Sequence, residues 1–265
     1  MDRAIDILRE KGLSQAAKKS DRIAAEGLVG MMISEDGKKA AMTEVNSETD
    51  FVAKNEEFQN FVANVTKVAM EKEPKDLEAL LASEYSAGVT VEAELTSKIA
   101  KIGENMNVRR FSALSIEAGR ISGYVHGAGK IAVLVKLEAA SDSEKLDELG
   151  KDIAMQVAAM NPKYISRDDV DQDYINHERE ILIQQALNEG KPQNIVEKMV
   201  EGRLQKQLKE VCLLEQTFVK DSDKAVKDVV ADTAKALGVE IKVVAVERFE
   251  VGEGLEKKSE NFAEE

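Results

Sequence analysis

At 265 residues the chain is long enough to bury a real core, as one large domain or a few small ones. Fifty Asp and Glu against 37 Lys and Arg leave a net charge of −13 and a pI near 4.9, which argues against nucleic acid or an anionic membrane as the main partner, since either demands a basic face. Cys212 is the single cysteine, so no intramolecular disulfide can form, and no run of about eighteen apolar residues occurs; a cytoplasmic protein is expected, neither exported nor membrane-spanning.

Residues 2–25 read as a helix carrying Ile5, Leu8 and Leu13, interrupted at Gly12 and fading into a polar linker over 16–22. A lone helix cannot bury its own face, so 1–25 is expected to be the tail of a larger helical unit. Strand patterns follow at 27–33 and 40–45, joined by Ser34-Glu35-Asp36-Gly37, where Asp-Gly between apolar runs signals a hairpin. Phe58, Phe61, Val62, Val65 and Ala69 then recur at helical spacing. Residues 74–103 are expected to add one or two helices through Leu77, Leu80, Leu81, Leu95, Ile99 and Ile102, and 106–116 a strand.

The same plan then begins again. Residues 119–138 read as strand, turn at His126-Gly127-Ala128-Gly129, strand, followed by helix-spaced Leu146, Leu149, Ile153, Val157 and Met160. Gly37-Lys38 aligns with Gly129-Lys130, Val45 with Leu137, Asp50 with Asp142 and Val65 with Val157, at one offset and without a gap. Two related half-domains of hairpin plus helix are the simplest account, with a strand at 239–249 completing the second half as 106–116 completes the first. An insertion separates that last strand from its half. Residues 168–189 and 194–213 are helical patterns joined by Gly190-Lys191-Pro192, with Ile195, Met199, Leu204, Leu208 and Val211 as one stripe and Ile175, Leu182, Ala186 and Leu187 facing it. The predicted fold is α+β: two related half-domains of antiparallel sheet plus helices, and an inserted antiparallel helical hairpin. Residues 252–265 read as a polar, mobile tail.

Catalytic and metal chemistry is hard to place in this sequence. Gly127-Ala128-Gly129-Lys130 lacks the P-loop frame, because Tyr124 replaces the first glycine, Ile131 replaces the Ser or Thr, and a strand follows. His126 and His177 are the only histidines and lie far apart, so neither a metal site nor a bound cofactor is expected. No Gly-x-Ser-x-Gly nucleophile motif occurs, and the acids lie on helix faces beside lysines. The chain reads as a binding protein.

Its most informative segment is the polar joint Asn46-Ser47-Glu48-Thr49-Asp50-Phe51-Val52-Ala53-Lys54-Asn55. With seven Phe, four Tyr and no Trp, the chain has few aromatics to leave outside a core. An exposed Phe51 would offer a partner a large apolar anchor beside the Asp50 carboxylate. A staple, with Phe51 folded back on Asn55 or Phe58, is the competing account.

Thr49-Asp50-Phe51-Val52-Ala53-Lys54 closely resembles the signature of the bacterial translation elongation factor Ts family. So do Lys101-Ile102-Gly103-Glu104-Asn105-Met106-Asn107-Val108-Arg109-Arg110, Lys198-Met199-Val200-Glu201-Gly202-Arg203 and Arg248-Phe249-Glu250-Val251-Gly252-Glu253-Gly254, in the family's order and over essentially the whole chain. The resemblance implies guanine-nucleotide exchange on elongation factor Tu without bond chemistry. It implies that Thr49, Asp50, Phe51 and Val52 form a wedge beside that GTPase's magnesium and nucleotide site, and that His126 and Gly127 in the second half grip another of its domains. No direct nucleic-acid or membrane contact is implied, and a dimer of heterodimers through the core or the hairpin is. The domains expected are 1–25 (remnant of an N-terminal helical module, and linker), 26–118 (core, first half), 119–165 with 214–249 (core, second half), 166–213 (helical hairpin) and 250–265 (C-terminal module). By the same resemblance, the N-terminal module is expected to be shortened and the C-terminus to stop early. An adaptor working only through the helical hairpin is the second reading, and it has no use for a wedge.

Overall fold

Short polar residues and glycines decide where the apolar runs break into elements. The structure is a computed structural model that describes residues 2–256, and of residues 2–9 the backbone alone. The expectations placed on the Ile5 and Leu8 side chains and on residues 257–265 therefore lie outside the described residues. Helix α1 (Asp2–Ala17) precedes strands β1 (Glu26–Ile33) and β2 (Lys39–Ser47), which pair antiparallel with Glu26 opposite Ser47. A one-turn helix α2 (Asp50–Ala53) leads into α3 (Glu56–Lys72), whose first backbone N–H groups are capped by the Asn55 side chain. Then come α4 (Leu77–Ala82), β3 (Glu84–Ser86), β4 (Val89–Thr90), α5 (Val91–Ile102) and β5 (Met106–Ser115), which returns to β2 to give the sheet order β1-β2-β5. The expectation of helices alone over 74–103 is corrected here: β3 and β4 form a small hairpin turning at Gly88, φ 75°. Strands of three and two residues are too short to show a period.

The second half repeats this plan with β6 (Gly119–His126), β7 (Ile131–Ala139), α6 (Glu144–Met160) and, beyond the insertion, β10 (Ile241–Glu250), in the order β6-β7-β10. The insertion holds α7 (Gln172–Asn188) and α8 (Gln193–Val211). Between α8 and β10 lie β8 (Thr217–Phe218), β9 (Asp221–Ala225) and α9 (Val226–Leu237), none of which the sequence reading assigned. They complete the duplication. Val91, Gly103 and Met106 match Val226, Gly238 and Ile241 at a single second offset, and both glycines end a helix in the left-handed region, at φ 89° and 67°. Even the β-bulges correspond, with Arg109 skipped in β5 and Val244 in β10.

The halves are joined by reciprocal hydrogen bonds. Val29 N–H donates to the Gly129 carbonyl and Ile121 N–H to the Gly37 carbonyl, both at 2.8 Å, and the four residues are related by the repeat itself. This is the isologous contact of a two-fold dimer fused into one chain. Val29, Met42, Ile121, Leu134 and Phe249 fill the space between the sheets. On the outer faces, α3 covers the first sheet through Phe58, Phe61 and Val65, and α6 covers the second through Leu146, Ile153 and Val157. Each such fully buried side chain contributes about 1.5–3 kcal/mol of transfer free energy, which is why the sheets hold their helices.

The helical hairpin has its own small core: Leu182 and Ala186 of α7 against Val196, Val200, Leu204 and Leu208 of α8. Ile195 and Leu187, expected inside that stripe, are exposed, and Met199 is half-buried. Leu204, Leu208 and Val211 lie in or against that core as expected, whereas nearest the Gly190 turn Val196 and Val200 are buried in place of Ile195 and Met199, because there the facing surface is set by the approach of α7. One charged group sits at the centre of the body. Glu44, fully buried on β2, accepts hydrogen bonds from Arg109 (3.1 Å), Arg110 (2.5 Å), Asn46 (3.0 Å) and the Gly252 N–H (2.8 Å). Burial pushes its carboxyl up, but the bonds from Gly252, Asn46 and Arg110 outweigh that and hold it below the usual glutamate range. Gly252, expected to begin a mobile tail, is thus buried and pinned to the first sheet.

Candidate functional site

The joint between β2 and α3 is rigid at its base and open at its tip. Ser47 Oγ donates to the Thr49 carbonyl at 3.0 Å, and Glu104 accepts from both the Thr49 N–H (3.0 Å) and its hydroxyl (2.7 Å). Glu48 in turn accepts from the Asn105 N–H at 2.6 Å and from Arg22 at 3.4 Å. Two adjacent acids, one from each side of the joint, are therefore used to fix the backbone rather than to meet solvent. Val52 and Ala53 are buried against the body and seat α2.

Phe51 points the other way. It is 77% exposed, the most exposed of the large hydrophobic side chains among the described residues. Phe58, the partner a staple would need, is fully buried in the α3 core without it. The staple account is therefore set aside. Lys54 Nζ lies 5.6 Å from the Phe51 ring centroid and 2.8 Å from an Asp50 carboxylate oxygen. Asp50 does not cap a helix: Thr49 stands at the N-cap of α2 and Asn55 caps α3. Its hydrogen bond from Lys54, with the charges of Lys54 and Lys130, holds the Asp50 carboxyl below the usual range, so it is ionised at neutral pH. The tip thus presents an aromatic ring beside an anion on a backbone that has little freedom left to lose on binding.

His126 and Gly127 occupy the exposed β6–β7 turn. Gly127, Ala128 and Gly129 all lie in the left-handed region, at φ 60°, 53° and 94°, and the His126 ring Nδ1 is 3.1 Å from the Tyr124 hydroxyl. The turn is docked on β1 through Val29 and Gly129, and Lys130 reaches Glu26 at 2.7 Å. Since Glu26 pairs with Ser47 at the end of β2, the two segments singled out in the sequence meet the same end of the β1–β2 hairpin. The sequence reading does not tie Glu104 or Glu26 to this region, and it gives Glu48 and Lys130, quoted within the two segments, no part in holding it. Glu104 sits inside a motif that was quoted, but nothing in its spacing tells which distant loop it holds.

Among the described residues no cluster of three or more His, Cys, Asp and Glu is placed to hold a metal ion, and no helix is long and apolar enough to cross a membrane. Cys212 is buried, and burial pushes its thiol up, away from nucleophilic use.

The structure is thus a duplicated α+β body that leaves one large aromatic side chain in water on a clamped loop. The family model described as "Elongation factor TS" matches residues 48–253. Elongation factor Ts of Clostridioides difficile (strain 630) is 59% identical over 265 residues, covering 100% of this chain and 87% of that protein. Those of Clostridium novyi (strain NT) and Clostridium perfringens (strain SM101 / Type A) are 55% and 50% identical, again over 100% of this chain and over 87% and 88% of theirs. The chain belongs to the elongation factor Ts family.

Proposed function

We propose that the chain is a guanine-nucleotide exchange factor that binds elongation factor Tu, promotes release of GDP and so allows GTP to reload during translation elongation. The observation that carries this reading is Phe51, a large apolar side chain left in water on a backbone held by Glu104 and seated by Val52. Phe51 and Asp50 enter beside the partner's magnesium and nucleotide site, with Thr49 and Val52 setting their position. Magnesium demands near-ideal octahedral geometry, so a small displacement of its ligands weakens both metal and diphosphate. His126 and Gly127 hold a second surface of the same partner. The exchange is reciprocal: a factor that loosens nucleotide is loosened by nucleotide to the same degree, and no bond is made or broken.

In this reading residues 26–118 and the paired stretches 119–165 and 214–249 act as the two gripping halves. Two complexes pair through the core or through the hairpin over 166–213, the N-terminal 1–25 and the C-terminal 250–265 flank the core, and the setting is the cytoplasm. The test is release of fluorescent GDP from elongation factor Tu. Acceleration by the parent chain and its loss in Phe51→Ala support the reading; equal rates with and without the parent chain overturn it.

A further inference from the structure

The internal repeat superposes two lysines that behave differently. From the first half, Lys38 Nζ reaches across to the second, donating to the Gly119 carbonyl at 2.7 Å and to the Asp142 carboxylate at 2.5 Å. The repeat carries Lys38 onto Lys130, Gly119 onto Gly27 and Asp142 onto Asp50. Lys130 keeps the first half of that arrangement, with its Nζ 3.4 Å from the Gly27 carbonyl, but pairs with Glu26 at 2.7 Å and leaves Asp50 to Lys54. The sequence says why. The position matching Glu26 is Ala118 and the position matching Lys54 is Leu146, so in the second half neither competitor exists and the lysine takes the aspartate. Asp142 there is tethered to the opposite half, whereas Asp50 is bound only to its own helix, by a lysine that is itself mostly exposed.

Resting on the exchange reading above, we propose that Glu26 is a positioning residue: by holding Lys130 it keeps a second cation off Asp50, so that the carboxylate beside Phe51 meets the GTPase with only the exposed Lys54 on it. Lys130 lies close enough for its charge to be felt at Asp50, and the Glu26 that holds it stands opposite Ser47, at the end of β2 that leads into Asp50. Removing Glu26 takes away one of the two competitors and frees Lys130 to close on Asp50 beside Lys54, as Lys38 closes on Asp142. The partner must then break a second exposed ion pair, in addition to that with Lys54, before it reaches Asp50. Such a pair is weak, so the cost in GDP release is about two- to fivefold.

The experiment compares the parent chain, Glu26→Ala, Lys130→Met and the double variant. In the free proteins, NMR titration of the Asp50 side-chain carboxyl should show a lower midpoint in Glu26→Ala than in the parent, reversed in the double variant. In GDP release from elongation factor Tu, Glu26→Ala should be slower by the factor above, Lys130→Met should not be slower, and the double variant should recover. A merely structural Glu26–Lys130 bridge would instead make the two single variants alike and the double no better. An unmoved Asp50 midpoint in Glu26→Ala, or a release defect that Lys130→Met does not relieve, overturns the proposal. If the parent chain itself fails to speed release, the exchange reading falls, and the titration of the free proteins alone decides whether Glu26 keeps Lys130 from Asp50.

Discussion

Truncating Phe51 to alanine separates anchor from core in one variant. Because the ring is 77% exposed in the free protein, most of the burial free energy of a phenylalanine, about 1.5–3 kcal/mol when complete, is still to be gained on contact with a partner. Scaled to that exposed share, Phe51→Ala should cost about 1–2 kcal/mol in the complex that leads to nucleotide release, which is close to one power of ten in rate. Free-protein stability should change by no more than about 0.5 kcal/mol, as for other exposed substitutions. Val52→Ala is the internal control: Val52 is buried on the same turn, and its truncation should lower stability by about 1 kcal/mol or more. Urea unfolding of both variants and stopped-flow GDP release supply the two readouts. A Phe51→Ala protein that unfolds early and still exchanges nucleotide at the parent rate would refute the reasoning.

Glu44→Ala should destabilise the body by about 2–3 kcal/mol in urea unfolding, a little under the range for a wholly buried pair because both guanidinium groups reach solvent; a loss below about 1 kcal/mol would contradict the role given to this carboxylate. Because its folded carboxyl lies below the ordinary range, Glu44 contributes stability that is present above the unfolded pKa and lost as pH falls through the folded one, so Glu44→Gln should flatten the acid limb of the stability curve. Glu247 is the opposite case. Burial raises its carboxyl, so the folded state favours the proton; stability is fullest below the unfolded pKa and declines as pH rises through the folded one, and Glu247→Gln should therefore raise Tm at pH 7 and leave it unchanged near pH 4. Glu104→Ala should leave the cores intact but free the joint, seen as faster hydrogen exchange at the Thr49 amide and slower GDP release; unchanged protection there would mean that Glu104 does not hold the loop.

The parts of the fold legible in the sequence were those where periodicity runs long. Phe58, Phe61, Val62 and Val65 marked α3 because an amphipathic helix of this length repeats its stripe several times, and the gapless match of Gly37 to Gly129 marked the two hairpins. Helix α9 escaped because the inserted α7–α8 hairpin changes the offset of the repeat, so Val226 and Gly238 align with Val91 and Gly103 only after the insertion is removed. In α8, Leu204 and Leu208 were legible, but the start of the stripe falls on Val196 and not on Ile195, because both are apolar and only the approach of α7 decides which is covered. At the site, the polar neighbourhood of Phe51 was visible, whereas the clamp from Glu104 was not. Contacts between residues far apart in the chain leave no local pattern. Glu44 did leave a signal, a lone charge inside the apolar run of β2, but its partners Arg109, Arg110 and Gly252 are fixed by the sheet register and by the return of β10.

The central claim is that this chain opens the nucleotide site of a GTPase with the Phe51 turn. Stopped-flow release of fluorescent GDP from elongation factor Tu, recorded with and without the parent chain at a fixed magnesium concentration, tests it most directly. The account predicts faster release with the chain, and a gain that shrinks as magnesium is raised, since metal and factor oppose each other through the same site. Release at the same rate with and without the chain, under conditions where the two proteins are shown to bind, would contradict it.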